Sequence, residues 1–199
     1  MSAEFVDLLS GRLGPSVQLS PAQIAQLQEH FELLQRWNKI LKLTSIQPVA
    51  EIVERHFCES LFLGAHLPPG ILKIVDIGSG GGFPGLPIAV LRPECSVTLI
   101  ESHQRKAVFL REASRKLPNV RVLAIRAQDL THEFEWAVSR AVKYSEIEPT
   151  LGRLVGQVGL LGGMDTPGSK CFTWNAPIQL PWGERRFLWL GTRVPRETS

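Results

Sequence analysis

Apolar positions recur along this chain with two different periods. Behind Ser20-Pro21, a pair suited to an N-cap and a first helical turn, Ile24, Leu27, Phe31, Leu34 and Leu41 return at helical spacing. This predicts a helix running through Trp37 and Asn38, after a shorter one over 3–13. Pro48 interrupts, and a further helix is expected over about 49–67, carrying Ile52, Val53, His56, Phe57 and Leu61 and stopped by Pro68-Pro69-Gly70. From there the pattern alternates. Strands are expected over 71–77, 96–100, 120–125, 136–138 and 158–161, with helices near 85–91, 103–117 and 145–155 between them. The helix over 103–117 is expected to turn Val108, Phe109 and Leu110 inward. Alternating strands and helices imply an α/β fold with a mostly parallel, doubly wound sheet. The end differs: 172–180 and 186–194 read as two strands joined through Pro181-Trp182-Gly183-Glu184, an antiparallel hairpin. The expected organisation is a helical cap over 1–70 on an α/β domain over 71–199, forming one compact unit, with a frayed end over 195–199.

Composition narrows this only slightly. The chain has 199 residues, 44% hydrophobic and 21% charged, as in ordinary globular domains. A net charge of +3 permits a polyanionic partner without demanding one. Cys58, Cys95 and Cys171 form no CxxC pair and no His lies at zinc-finger spacing, so buried free thiols in a reducing compartment are expected and no metal. Met1-Ser2-Ala3-Glu4-Phe5 lacks the basic start and apolar core of a secretory signal, and no apolar run approaches the ~20 residues that span a bilayer. A cytoplasmic, membrane-free, monomeric protein is the expectation.

The informative stretch runs from Ile71 to Gly85. A short Ile- and Val-rich run leads into five glycines within eight positions, 78, 80, 81, 82 and 85, where a ligand can lie against the backbone. The dinucleotide pattern GxGxxG fails from Gly78, because its third glycine would be Phe83; from Gly80 it is met late, with Pro84 intruding. No GKS or GKT follows, which excludes a P-loop. Asp76, just inside the loop, either accepts hydrogen bonds from a ligand amine or caps the following turn. An amine points to S-adenosylmethionine, since a carboxylate there repels a pyrophosphate. Gly80 belongs to the same cradle. Glu101 ends the second strand twenty-three residues after Gly78 and can take both ribose hydroxyls of an adenosine, which NAD sites share. Arg126-Ala127-Gln128-Asp129 follows the third strand, on a loop that faces the adenine in this architecture.

The run Asp76-Ile77-Gly78-Ser79-Gly80-Gly81-Gly82-Phe83-Pro84-Gly85-Leu86-Pro87 resembles motif I of the RsmG (GidB) family, bacterial 16S rRNA guanine-N7 methyltransferases, with its FPG continuation. Trp37-Asn38 with Leu43-Thr44, Arg55-His56-Phe57-Cys58-Glu59-Ser60-Leu61, Leu99-Ile100-Glu101-Ser102 with Arg105 to Leu110, and Ser139-Arg140-Ala141 resemble further family elements, in order, over roughly 35–141. The resemblance implies a Rossmann-like class I S-adenosylmethionine-dependent methyltransferase. It implies that Gly78 and Phe83 lie along the methionine and adenosine, that Ala127 and Gln128 meet the adenine, and that Arg140 reaches the cofactor. Three departures stand out: Gln128 where the family has Glu, Glu59 where it has Asp, and Leu161-Gly162-Gly163-Met164-Asp165-Thr166-Pro167-Gly168 where it has a Lys-Gly and then a helix. So short a link predicts that the usual crossover helix is lost or reduced.

Guanine N7 carries a free lone pair, so its methylation requires placement rather than a base. No nucleophile-and-base constellation is present, and no catalytic residue is assigned. His30, His56, His66, His103 and His132 are scattered, and only His56 falls in a family-like motif. Arg105, Lys106, Arg111, Arg115, Lys116, Arg121 and Arg126 form a basic stretch that can grip phosphates or merely be a solvated face; Lys39, Lys42, Arg55, Arg185 and Arg186 can add to it. The implied partner is 16S rRNA or the small ribosomal subunit. The alternatives are a methyltransferase with another substrate, an NAD-binding oxidoreductase, and a non-catalytic RNA-binding or assembly protein that keeps the fold.

Overall fold

The computed structural model describes residues 3–14, 17–140, 142–165 and 167–195. Met1 and Ser2, Pro15 and Ser16, Ala141 of the Ser-Arg-Ala element, Thr166 and the terminal 196–199 lie outside the described residues.

Helix α1 (Ala3–Leu13) and helix α2 (Pro21–Leu41) stand where the helical spacing put them. Ser20 begins α2 with a reciprocal capping box: its Oγ accepts from Gln23 N at 3.3 Å, and Gln23 Oε1 accepts from Ser20 N at 2.9 Å. The Gln23 amide then donates to Val90 O at 2.9 Å, fastening the cap to the helix after the glycine loop. The next helical stretch is α3 (Val49–Ile52), a π-helical turn over Val53–Cys58, and α4 (Glu59–His66). Phe5 stacks on Phe31 and meets Phe57 edge-on, with centroids 4.5 and 4.9 Å apart and all three rings fully buried. Burial of such a ring contributes roughly 2–3 kcal/mol, so this trio anchors the helical layer.

The sheet comprises β1 (Lys73–Ile77), β2 (Ser96–Ile100), β3 (Val120–Leu123), β4 (Phe134–Arg140), β5 (Val155–Gly162), β6 (Phe172–Trp174), β7 (Ile178–Gln179) and β8 (Phe187–Arg193). Its order is β3-β2-β1-β4-β5-β8-β6, with β7 also on β8. The first five strands are parallel; β8 runs antiparallel to β5, β6 and β7. Helices α5 (Gly85–Leu91) and α6 (Gln104–Ala113) connect the parallel strands along with α7 (Tyr144–Leu154). Side chains alternate across β1. Ile74 packs in the core shared with the cap, α5 and α6, while Val75 and Ile77 join Ile147 and Leu151 of α7 on the opposite side.

Three expectations need correction. Val108 is 49% exposed, because a helix cannot turn three consecutive residues to one face; Phe109 and Leu110 are buried and Val108 points to solvent. Ile71 is 79% exposed and precedes the first strand, which begins at Lys73. The first arm of the C-terminal hairpin is split at Asn175-Ala176-Pro177, so β6 and β7 both lean on β8.

Among the described residues no helix lies between β5 and β6, as the short link predicts. An extended segment is clasped to α7 instead. Glu148 Oε1 accepts from Ser169 Oγ, Lys170 N and Cys171 N at 2.6, 2.6 and 3.0 Å. Gly152 makes room for it: a Cβ there would lie 2.6 Å from Cys171 Sγ. Glu148→Ala is therefore expected to cost about 1–2 kcal/mol and to open 163–171 to limited proteolysis, measured as new cleavage sites under native conditions.

Candidate cofactor and substrate site

β1 delivers Asp76 to the start of the glycine loop with its side chain on the α5 face. The residue is fully buried. Its Oδ2 accepts from Gly85 N, at the first turn of α5, at 2.9 Å, while Oδ1 has no hydrogen-bond partner among the described residues. Burial raises its pKa to about 7, against the opposing Gly85 hydrogen bond. Capping is thus one role of Asp76, and one carboxylate oxygen is left over. Gly85 cannot be larger, because a Cβ would lie 2.3 Å from Leu99 Cδ2 and 2.7 Å from Asp76 Oδ2.

The loop turns through Gly78 and Gly80 at φ +74° and +53°, a region that favours glycine. Gly78 N and Ser79 N both donate to Ile100 O at 3.0 Å, pulling the loop against the end of β2. Glu101 follows directly. Its Oε2 accepts from Gly80 N at 3.0 Å and its Oε1 from His103 N at 2.7 Å, which fixes the carboxylate beside the loop.

Gly78, Glu101, Ala127 and Gln128 line one groove of about 370 Å³, together with Ile100 and Ile125. Ala127 and Gln128 stand on a 3-10 turn, Ala127–Asp129, after β3. The apolar walls, the carboxylate at the strand end and the loop of exposed backbone fit an adenosine-bearing methyl donor, while the spare oxygen of Asp76 is enclosed on the α5 side of β1. A Cβ on Gly78 would lie 2.6 Å from Val142 Cγ2, so the groove has no spare width at that point. Gly78→Val is expected to weaken binding of S-adenosylhomocysteine by about tenfold or more, read by calorimetry; parent-like affinity would place the adenosine elsewhere.

Asp76, Gly80, Phe83 and Arg140 do not line that groove. The Phe83 ring is buried beneath the cap, sandwiched between His30 and His56 at 4.8 and 4.7 Å with interplanar angles of 25° and 18°. The Phe83-Pro84 peptide is cis. Arg140 passes 5.7 Å from the centre of the same ring and lines a smaller pocket of about 120 Å³ at the ends of β4 and β5, with Asp165 and Trp189. Val142 borders both cavities.

Arg140 donates to Arg55 O and to His56 Nδ1. His56 Nε2 meets Thr44 Oγ1 at 2.7 Å, and Thr44 N donates to Asn38 Oδ1 at 2.9 Å. Burial, with Arg140 beside it, lowers the His56 pKa to about 2. Burial likewise lowers that of Arg140, to about 10. His30, read as one of several scattered histidines, lines neither cavity but braces Phe83 and the glycine loop: it is buried, donates through Nε2 to Gly81 O at 2.8 Å, and its pKa is lowered by burial to about 4. A signal for it existed, since His30 falls in register with Leu27, Phe31 and Leu34 on the inner face of α2.

The basic stretch is mixed. Arg105, Arg111, Arg115, Arg121 and Arg126 are exposed, Lys106 is half-buried, and Lys116 pairs with Glu29 at 2.7 Å. Lys39, Lys42 and Arg185 are exposed as well. Arg55 and Arg186 are committed elsewhere, to the buried Glu59.

The sheet order, the reversed β8 and the carboxylate-flanked glycine loop define a class I, S-adenosylmethionine-dependent methyltransferase. Solved structures agree on the fold. One described as MtNAS in complex with MTA and tNA superposes with a TM-score of 0.60 at 17% identity, covering 85% of this chain and 70% of that one. TrmN from Thermus thermophilus superposes at 0.53 and 17%, covering 80% and 53%. The sequence model of the GidB family, described as rRNA small subunit methyltransferase G, matches residues 23–161. Relatives named ribosomal RNA small subunit methyltransferase G include that of Aromatoleum aromaticum, 36% identical over 178 residues with 85% of this chain and 79% of the relative covered. That of Xanthomonas euvesicatoria pv. vesicatoria is 43% identical over 156 residues, covering 76% and 68%. The chain belongs to the GidB family.

Proposed function

We propose that this protein transfers the methyl group of S-adenosylmethionine to N7 of a guanine in small-subunit (16S) ribosomal RNA. The observation that carries the reading is the joining of Gly78, Glu101, Ala127 and Gln128 around one groove, in a member of the GidB family.

In this reading Asp76 holds the donor's amine, and the backbone at Gly78 and Gly80 gives it room. Glu101 receives the ribose hydroxyls, and Ala127 and Gln128 meet the adenine edge. Arg140 orients the reacting end from the last residue of β4, and Phe83 supports it from beneath. The bound donor supplies an electrophilic methyl group on a sulfonium. The acceptor N7 already has its lone pair, so the protein removes no proton. It contributes placement, which can supply most of the acceleration. Exposed Arg105, Arg111, Arg115, Arg121 and Arg126 supply phosphate contacts of salt-dependent strength.

No helix among the described residues is long and apolar enough to cross a membrane. A cytoplasmic monomer, with residues 1–70 as a cap on the methyltransferase unit, is part of the same proposal. The test is the N7-methylguanosine content of 16S rRNA in deletion and parent strains. Loss on deletion, with restoration by the gene, is expected. Equal content would overturn the proposal, and cofactor binding without transfer to 30S subunits would favour a non-catalytic assembly role.

A further inference from the structure

We infer that His56 is a positioning residue for Arg140: a neutral imidazole, carried on the π-helical turn of the cap, that aims the guanidinium into the site at the ends of β4 and β5. The inference rests on the placement of Arg140 at the cofactor in the function proposed above.

The hydrogen bonds determine the tautomer. Arg140 can only donate, so His56 Nδ1 accepts. The ring proton then sits on Nε2, facing Thr44 Oγ1 at 2.7 Å. Thr44 Oγ1 also takes the Ile46 N–H at 3.1 Å, so it acts as an acceptor here, and its own backbone N–H is held by Asn38. A protonated His56 would face Arg140 with a hydrogen where a lone pair is needed. Burial and the neighbouring Arg140 and Arg55 both keep it neutral.

Local helix geometry serves the same end. The helix widens over Val53–Cys58, a device that recurs at functional sites. The turn places the His56 ring flat on Phe83, and its neighbour's carbonyl, Arg55 O, takes a second guanidinium N–H. Arg140 is thus held on two sides by one turn of the cap, while it still lines the pocket shared with Asp165 and Trp189. In this chain the side chain that places the catalytic-face arginine comes from the helical layer, 84 residues away in sequence.

The test is a mutant cycle on the dissociation constant of S-adenosylhomocysteine, measured by calorimetry on the full chain. His56→Phe keeps a ring on Phe83 and removes both hydrogen bonds; it is expected to weaken binding about tenfold. Arg140→Gln is expected to weaken it at least as much, and the double variant no further than Arg140→Gln alone. His56→Asn, which returns an acceptor to the place of Nδ1, is expected to recover affinity to within about threefold of the parent. Parent-like binding by His56→Phe, or losses that multiply in the double variant, would overturn the inference. A weakened His56→Phe beside an unaffected Arg140→Gln would overturn the placement of Arg140 itself. Since the readout uses no RNA, failure of the rRNA assignment would show separately.

Discussion

At pH 8, Asp76→Asn is expected to lose about a hundredfold in affinity for S-adenosylmethionine, and methyl transfer with it, while unfolding no more easily than the parent. The two effects share one cause. Asp76 is fully buried and its pKa is raised by burial from 3.8 to about 7. A raised carboxyl pKa means that the folded state holds the proton more tightly than the unfolded chain. Its stabilising contribution is therefore complete below pH 3.8 and is lost as pH rises through about 7. Ionising this group in the fold costs on the order of 4 kcal/mol. Asparagine can keep the bond from Gly85 N through its oxygen and leaves the two N–H groups of its amide unpaired, at about 1–3 kcal/mol for the amide nitrogen. The smaller penalty wins at high pH, so the variant gains on the parent between pH 5 and 8 in urea unfolding. Cofactor affinity has the opposite dependence. The donor's cationic amine favours the ionised carboxylate, so parent affinity should rise with pH through about 7 and the variant's should not. Calorimetry at pH 6 and 8 measures both slopes. A flat parent profile would leave Asp76 as a cap of α5 alone.

Arg186→Met should lower stability by about 3–5 kcal/mol, the largest single loss expected outside the aromatic core. Glu59 on α4 is 1% exposed. Arg186, in the turn before β8, grips it with Nε at 3.0 Å and Nη2 at 2.7 Å, and Arg55 stands at 3.4 Å. Without Arg186 a buried carboxylate keeps only the longer contact. Pairing the change with Glu59→Gln removes the charge as well and is expected to restore most of the loss, because the penalty belongs to the unpaired ion. Chemical unfolding of both single variants and the double variant measures it. A loss of less than about 1 kcal/mol for Arg186→Met would mean that water reaches Glu59.

Residues within one element were legible from the sequence, as were the turns that join adjacent elements. Ser20 with Pro21 announced the start of α2, and the Ile- and Val-rich run before Gly78 announced β1. The contacts that fix Asp76, Gly80 and Glu101 around the glycine loop are local, because the loop and the strand ends that hold them are close in the chain. Their hydrogen bonds span 9 residues from Gly85 to Asp76 and 21 from Gly80 to Glu101. Val108 was misjudged because a run of apolar residues does not say which of them a helix turns inward. The short link after β5 did foretell that the crossover helix is lost or reduced, and among the described residues no helix stands there, since so few residues leave no length for one.

What the sequence determined by itself was the alternation of strands and helices and the chemistry of the loop between β1 and α5. Both follow from backbone periodicity and from the conformations that glycine alone adopts freely. Tertiary structure decided what lies around Phe83 and Arg140. The His30 contact spans 51 residues, the His56 contact 84 and the Glu59 clasp 127. No local pattern encodes such pairings, because they depend on how the helical layer seats on the sheet. Desolvation at that seam keeps His56 neutral, and burial beneath α5 raises the pKa of Asp76.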